Sequence, residues 1–104
     1  MFLRETAVLA AYEGAREGVG RGNTDTDAVS RITNFLDERN VTHNGAGGVT
    51  ISSPGFDSAE TLENVTVTVD IPTTGNLLIP SQMISGMTIT ASVTMRKEYK
   101  NLPN

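Results

Sequence analysis

Three features of this sequence have the residue types that chemistry needs: a lone histidine, a loose trio of carboxylates, and a glycine-rich turn. His43 is the only histidine, and Thr42, Asn44, Gly45 and Gly47 around it offer no nucleophile to activate. A single imidazole also rules out a three-histidine zinc site. We expect a solvated loop residue. Asp57, Glu60 and Glu63 are three apart, a spacing that brings carboxylates together on one helical turn. A calcium loop needs more oxygen ligands around a central glycine, and that pattern is missing, so solvated acids are expected. Gly18-Val19-Gly20-Arg21-Gly22 has the glycines of a phosphate loop, but it follows a helical pattern and no Lys-Ser/Thr comes after it. It reads as a flexible helix exit. With no nucleophile–base pair or carboxylate dyad to assemble, no catalytic, metal or cofactor-binding residue is expected.

The composition narrows the field further. The chain has no cysteine, which removes disulfides, thiolate metal sites and thiol nucleophiles together. Its net charge is −4 and its densest basic cluster, Arg96-Lys97-Glu98-Tyr99-Lys100, is short and interrupted. Nucleic-acid binders usually show a basic face, so no nucleic-acid partner is expected. The opening MFLRETAVLAAY is broken by Arg4 and Glu5 and reads neither as a bilayer span of about 20 apolar residues nor as a signal peptide. As written, the sequence reads as a soluble polypeptide.

The elements that would position these residues follow from periodicity. At 104 residues one domain is expected, spanning 1–98, with 99–104 as a frayed tail. From Phe2 to about Val19, the residues Val8, Ala11, Tyr12, Ala15 and Val19 recur at helical spacing and predict one apolar stripe. Glu13 and Arg16 are placed to pair, and Gly18, Gly20 and Gly22 end the helix. Asn23 to Asp27 supplies caps for a second helix, with Asp25 and Asp27 as cap residues, carrying Val29, Ile32, Phe35 and Leu36 and stopping at Asn40. The period then changes to two. Val49 and Ile51, Val65 to Ile71, and Met87 to Met95 alternate apolar residues with Thr, Ser and Asp. Such strands form an antiparallel sheet covered on one face and solvated on the other. The fold class is therefore α+β: a long N-terminal helix and a second helix on one face of about three strands. The link carrying Leu77, Leu78, Ile79, Met83 and Ile84 is too apolar for a free loop and is expected to pack on the domain's edge.

Gly14 and Gly18 sit one turn apart in a helix, where each costs about 1 kcal/mol relative to alanine. Ala7, Ala11 and Ala15 are spaced by four, as are Ala10, Gly14 and Gly18. They give a smooth face that lets another backbone come close, either the domain's own sheet or a neighbouring subunit's helix. The competing reading is a helix merely weakened toward its end. No capping residue precedes the helix: Phe2 and Leu3 are already apolar. We expect them to continue a longer, membrane-embedded helix upstream, or Met1 to be the start of an excised fragment.

The alanine-rich helix with Ala15-Arg16-Glu17-Gly18, the run from Val65 to Pro72, and the ending Thr94-Met95-Arg96-Lys97-Glu98 carry a resemblance. Over nearly the whole chain it resembles the extracytoplasmic part of TadE-like proteins, minor pseudopilins of the tight-adherence (type IVb, Flp-type) pilus. That resemblance implies a pilin-like domain, periplasmic or at the cell surface, held to the inner membrane through a missing N-terminal helix. Its partners would be other pilus or secretion-machinery subunits, and its role would be structural. Ala7, Ala11, Gly14, Ala15 and Gly18 are the helix-packing and assembly candidates, and Phe2 and Leu3 the membrane-proximal ones. The alternative is a ligand- or carbohydrate-binding module using the Thr-rich face or the loop from Asp57 to Glu63. Against it, Phe2, Tyr12, Phe35, Phe56 and Tyr99 are the only aromatic residues.

Overall fold

The helical spacing near the N-terminus folds as α1 (Phe2–Gly18). The second helix, α2 (Asp25–Glu38), begins with a reciprocal cap. The Thr24 hydroxyl accepts from the Asp27 amide at 3.3 Å, and the Asp27 carboxylate accepts from the Thr24 amide at 2.9 Å. Two amides that an isolated helix end would leave bare are thereby satisfied. Past its end, Asn40 takes a left-handed φ of 57°, a conformation that asparagine tolerates and that turns the chain away. This computed structural model describes residues 2–72 and 88–101. The apolar link with Leu77, Leu78, Ile79, Met83 and Ile84 lies outside them.

A 3₁₀ turn (Gly45–Gly48) leads into β1 (Val49–Ile51), followed by the one-turn helix α3 (Gly55–Ser58), β2 (Asn64–Pro72) and β3 (Thr88–Arg96). The strands form one sheet in the order β1-β2-β3, antiparallel throughout. The register sets Val67 between Ile51 and Val93, and Thr68 between Thr50 and Ser92. Because side chains alternate, this places every valine and isoleucine of the three strands on one face. Val65, Val67, Val69 and Ile71 of β2 are buried there, with Ile89 and Ala91 of β3.

α1 lies on that face, over β2 and β3, and α2 packs along the flank of α1. The α+β class and the three-stranded antiparallel sheet are as the periodicity indicates. The stripe expected on α1 is so only in part: its Ala11, Ala15 and Val19 are buried. Val8 and Tyr12 are 41% and 43% exposed, whereas Leu3, Ala7, Ala10, Ala11 and Ala15 are buried. The helix presents its smallest face, not its most apolar one, to the sheet. A helix axis can approach closely only where side chains are short. Dispersion attraction falls steeply with distance, so the close approach of backbone and methyl groups outweighs what larger residues would offer from further off.

Candidate functional site

The five small residues Ala7, Ala11, Gly14, Ala15 and Gly18 come together on the buried face of α1. A methyl group added at Gly14 would fall within 3.0 Å of both Ile32 Cγ1 and Cδ1, and one at Gly18 within 3.0 Å of the Phe56 ring. The glycines therefore admit α2 and α3, elements of the same chain. Leu3, expected near a membrane, is wholly buried in this core; Phe2 is the first residue of α1.

Below the C-terminal end of α1 sits a polar cage that no sequence pattern announced. Lys97, a member of the short basic cluster near the C-terminus, is fully buried. Its Nζ donates to the carbonyls of Gly18 and Gly20, each at 2.8 Å, and of Asn23 at 3.1 Å. Carbonyls at a helix end lack amide partners and carry partial negative charge, so an ammonium suits them. Burial lowers the Lys97 pKa, and the charges of Asp57, Asp25, Glu98 and Asp27 partly oppose that shift.

The rest of the cage is built from residues that were expected to be solvated or frayed. Asp25 is more than a cap residue: its carboxylate accepts from the Phe56 amide at 2.6 Å, while its own amide donates to the Asp57 carboxylate at 2.6 Å. This cross-brace fixes α3 against the start of α2 and holds the Phe56 ring under Gly18. Asn101 accepts from the Gly22 amide at 2.6 Å and donates to the Asn23 carbonyl at 2.7 Å. The tail expected to fray from Tyr99 is thus held as far as Asn101. The glycine-rich run 18–22, expected to be flexible, is tied down by the same groups.

The other candidates scatter. Glu63 accepts from the Glu60 amide at 2.9 Å, Glu60 pairs with Lys100 at 3.1 Å, and Asp57 serves Asp25, so the carboxylates do not converge. Among the described residues no group of acids and histidine is placed to hold a metal. His43 is not solvated: its side chain is 13% exposed, and Nε2 donates to Asp37 at 2.7 Å while Nδ1 accepts from the Gly45 amide at 3.0 Å. It pins the loop after α2 back onto that helix. On the outer flank of α1, Glu13 bonds Arg31 of α2 at 2.9 Å and lies 3.7 Å from Arg16, and the Arg31 hydrogen bond holds its carboxyl below the ordinary value. The hollow between Glu13, Arg16, Glu17, Asn23 and Arg31 is lined by these mutually engaged groups.

The face of the sheet opposite α1 is a ladder of paired polar side chains. Thr66 bonds Thr94 at 2.6 Å, Thr68 bonds Ser92 at 2.8 Å, and Thr90 donates to Asp70 at 2.7 Å. Each pair uses its hydrogen-bonding capacity across the strands and gives a regular surface. No family model, curated protein or solved structure matches this chain.

Proposed function

We propose that this chain is the extracytoplasmic domain of a TadE-like minor pseudopilin, a structural subunit of a tight-adherence pilus with no catalytic role. The observation that carries the reading is the way α1 is held. It lies lengthwise on the apolar face of the sheet through an Ala/Gly face, locked by Lys97 at its far end and beginning at Phe2 at the other. Such a helix can continue N-terminally into a bilayer as one rod, with the domain riding on its last turns. The Thr-bearing face suits an aqueous exterior, and the sequence resemblance supplies the pilus system. Partners in this reading are other pilus subunits.

The test is genetic and biochemical. The coding region upstream of Met1 should encode about 20 apolar residues, and the full-length product should resist carbonate extraction from inner membranes. Deleting the gene should abolish surface pili, and the full-length gene should restore them. A product that stays in the soluble fraction, or piliation that survives the deletion, refutes the proposal. The ligand-binding alternative would then predict saturable binding on a glycan array.

A further inference from the structure

We infer that β3 is a self-pairing edge, and that two copies of this chain join through it into one continuous six-stranded sheet. The inference goes beyond the pseudopilin reading and does not rest on it. Among the described residues β3 is paired on one side only, with β2. The phase of its free hydrogen-bonding groups can be read from the other strands. The Ser52 amide donates to the Thr66 carbonyl at 2.9 Å and the Thr66 amide to the Ser52 hydroxyl at 2.9 Å, so the even residues of β2 face β1 and its odd residues face β3. The Lys97 amide donates to the Glu63 carbonyl at 2.8 Å, in the same odd-to-odd phase. The main-chain groups of Thr88, Thr90, Ser92, Thr94 and Arg96 therefore point away from the sheet.

Those five residues are symmetric about Ser92. In an antiparallel pairing centred there, Ser92 meets Ser92 of the second copy, Thr90 meets Thr94, and Thr88 meets Arg96. On the opposite face, Ala91 meets Val93 and Ile89 meets Met95. Hydroxyl face joins hydroxyl face, apolar face joins apolar face, and no like charges are set opposite each other. All five outward residues fall in pairs that exchange two hydrogen bonds each, about the number in a typical interface. β3 is nine residues long and carries no proline, acidic residue or lysine, its one charge being Arg96 at the end.

The layer above fits the same axis. Glu13 and Gly14 face α2, which runs on through the 3₁₀ turn to β1. At 100° per residue, Val8 and Tyr12 lie half a turn away, on the β3 side, where they are 41% and 43% exposed. Val93 and Met95 below them are only partly buried. With strands about 4.8 Å apart, a helix centred between β2 and β3 would lie about 10 Å from its mate, a normal helix-packing distance. An edge about 30 Å long on a molecule 18–20 Å thick gives about 600 Å² per copy, close to the roughly 800 Å² of a standard interface.

The test is the solution mass of the 104-residue chain by light scattering at about 100 µM, with two variants. The wild type should run at twice 11.1 kDa. Ser92→Pro removes an amide that no β2 group uses and should raise the dimer dissociation constant at least tenfold with an unchanged circular dichroism spectrum. Ser92→Cys, the sole thiol in the chain, should crosslink to a dimer under mild oxidation, whereas Thr50→Cys on the same face in β1 should not. A monomeric wild type overturns the inference, and so does a dimer indifferent to Ser92→Pro or equal crosslinking at the two cysteines. Should Ser92→Pro fail to fold, the cysteine pair decides alone.

Discussion

Two residues carry much of the packing logic. At Gly14 an added methyl group meets Ile32, so Gly14→Ala sets a helix gain of about 1 kcal/mol against an overpacking cost of about 1–3 kcal/mol. We expect a net loss, larger for Gly14→Leu, that is partly recovered when Ile32 is shortened to Val. Urea denaturation of the double-mutant cycle measures it, and strictly additive effects would remove the close-packing explanation. At Lys97, replacement by Met takes a donor from three carbonyls, of which that of Gly20 keeps the Asn23 amide and that of Asn23 keeps the Asn101 side chain; the Gly18 carbonyl loses its lysine donor, and a loss of about 1–3 kcal/mol is expected. Burial lowers the pKa of Lys97 below 10.5, which fixes the sign of its pH dependence. Below the lowered value the ammonium is charged in both folded and unfolded chains. Between that value and 10.5 the unfolded chain keeps the proton and the folded one releases it, so this group makes stability rise with pH. An NMR titration of Lys97 with a midpoint at or above 10.5 would contradict the assignment.

At the scale of elements, the cap of α2 is the most local feature and the most legible. Thr24→Ala should cost about 1 kcal/mol by loss of the hydroxyl cap, read as a lower urea midpoint with an unchanged slope. The strands were equally legible, because alternation of Val with Thr or Ser leaves a single register in which one face is dry. The phase of α1 was legible only in part, at Ala11, Ala15 and Val19. A stripe chosen by hydrophobicity put Val8 and Tyr12 inside, yet the burial of α1 is governed by how near its axis can come to β2 and β3, and alanine and glycine decide that. His43 and Asp37 were likewise unreadable as a pair, since their contact depends on the turn taken after Asn40.

For the molecule as a whole, the least legible part was the C-terminal segment. Nothing in Lys97-Glu98-Tyr99-Lys100-Asn101 announces that it closes the junction of α1, α2 and α3, because the side chains of Lys97 and Asn101 reach main-chain groups more than seventy residues earlier in the chain. Main-chain carbonyls leave no trace in a sequence. The consequence is testable by truncation: a chain ending at Arg96 should lose cooperative unfolding, whereas one ending at Asn101 should unfold like the full length. Equal stability of the two would show that the segment decorates the fold without closing it.

The geometry of β3 sets a condition on where such a chain can meet itself. An antiparallel partner at Ser92 turns the second α1 end for end, so the two Phe2 residues point in opposite directions. Two copies rooted by those ends in one bilayer would be unable to adopt this arrangement. The pairing at Ser92 is then open to copies whose N-terminal ends do not share one membrane surface.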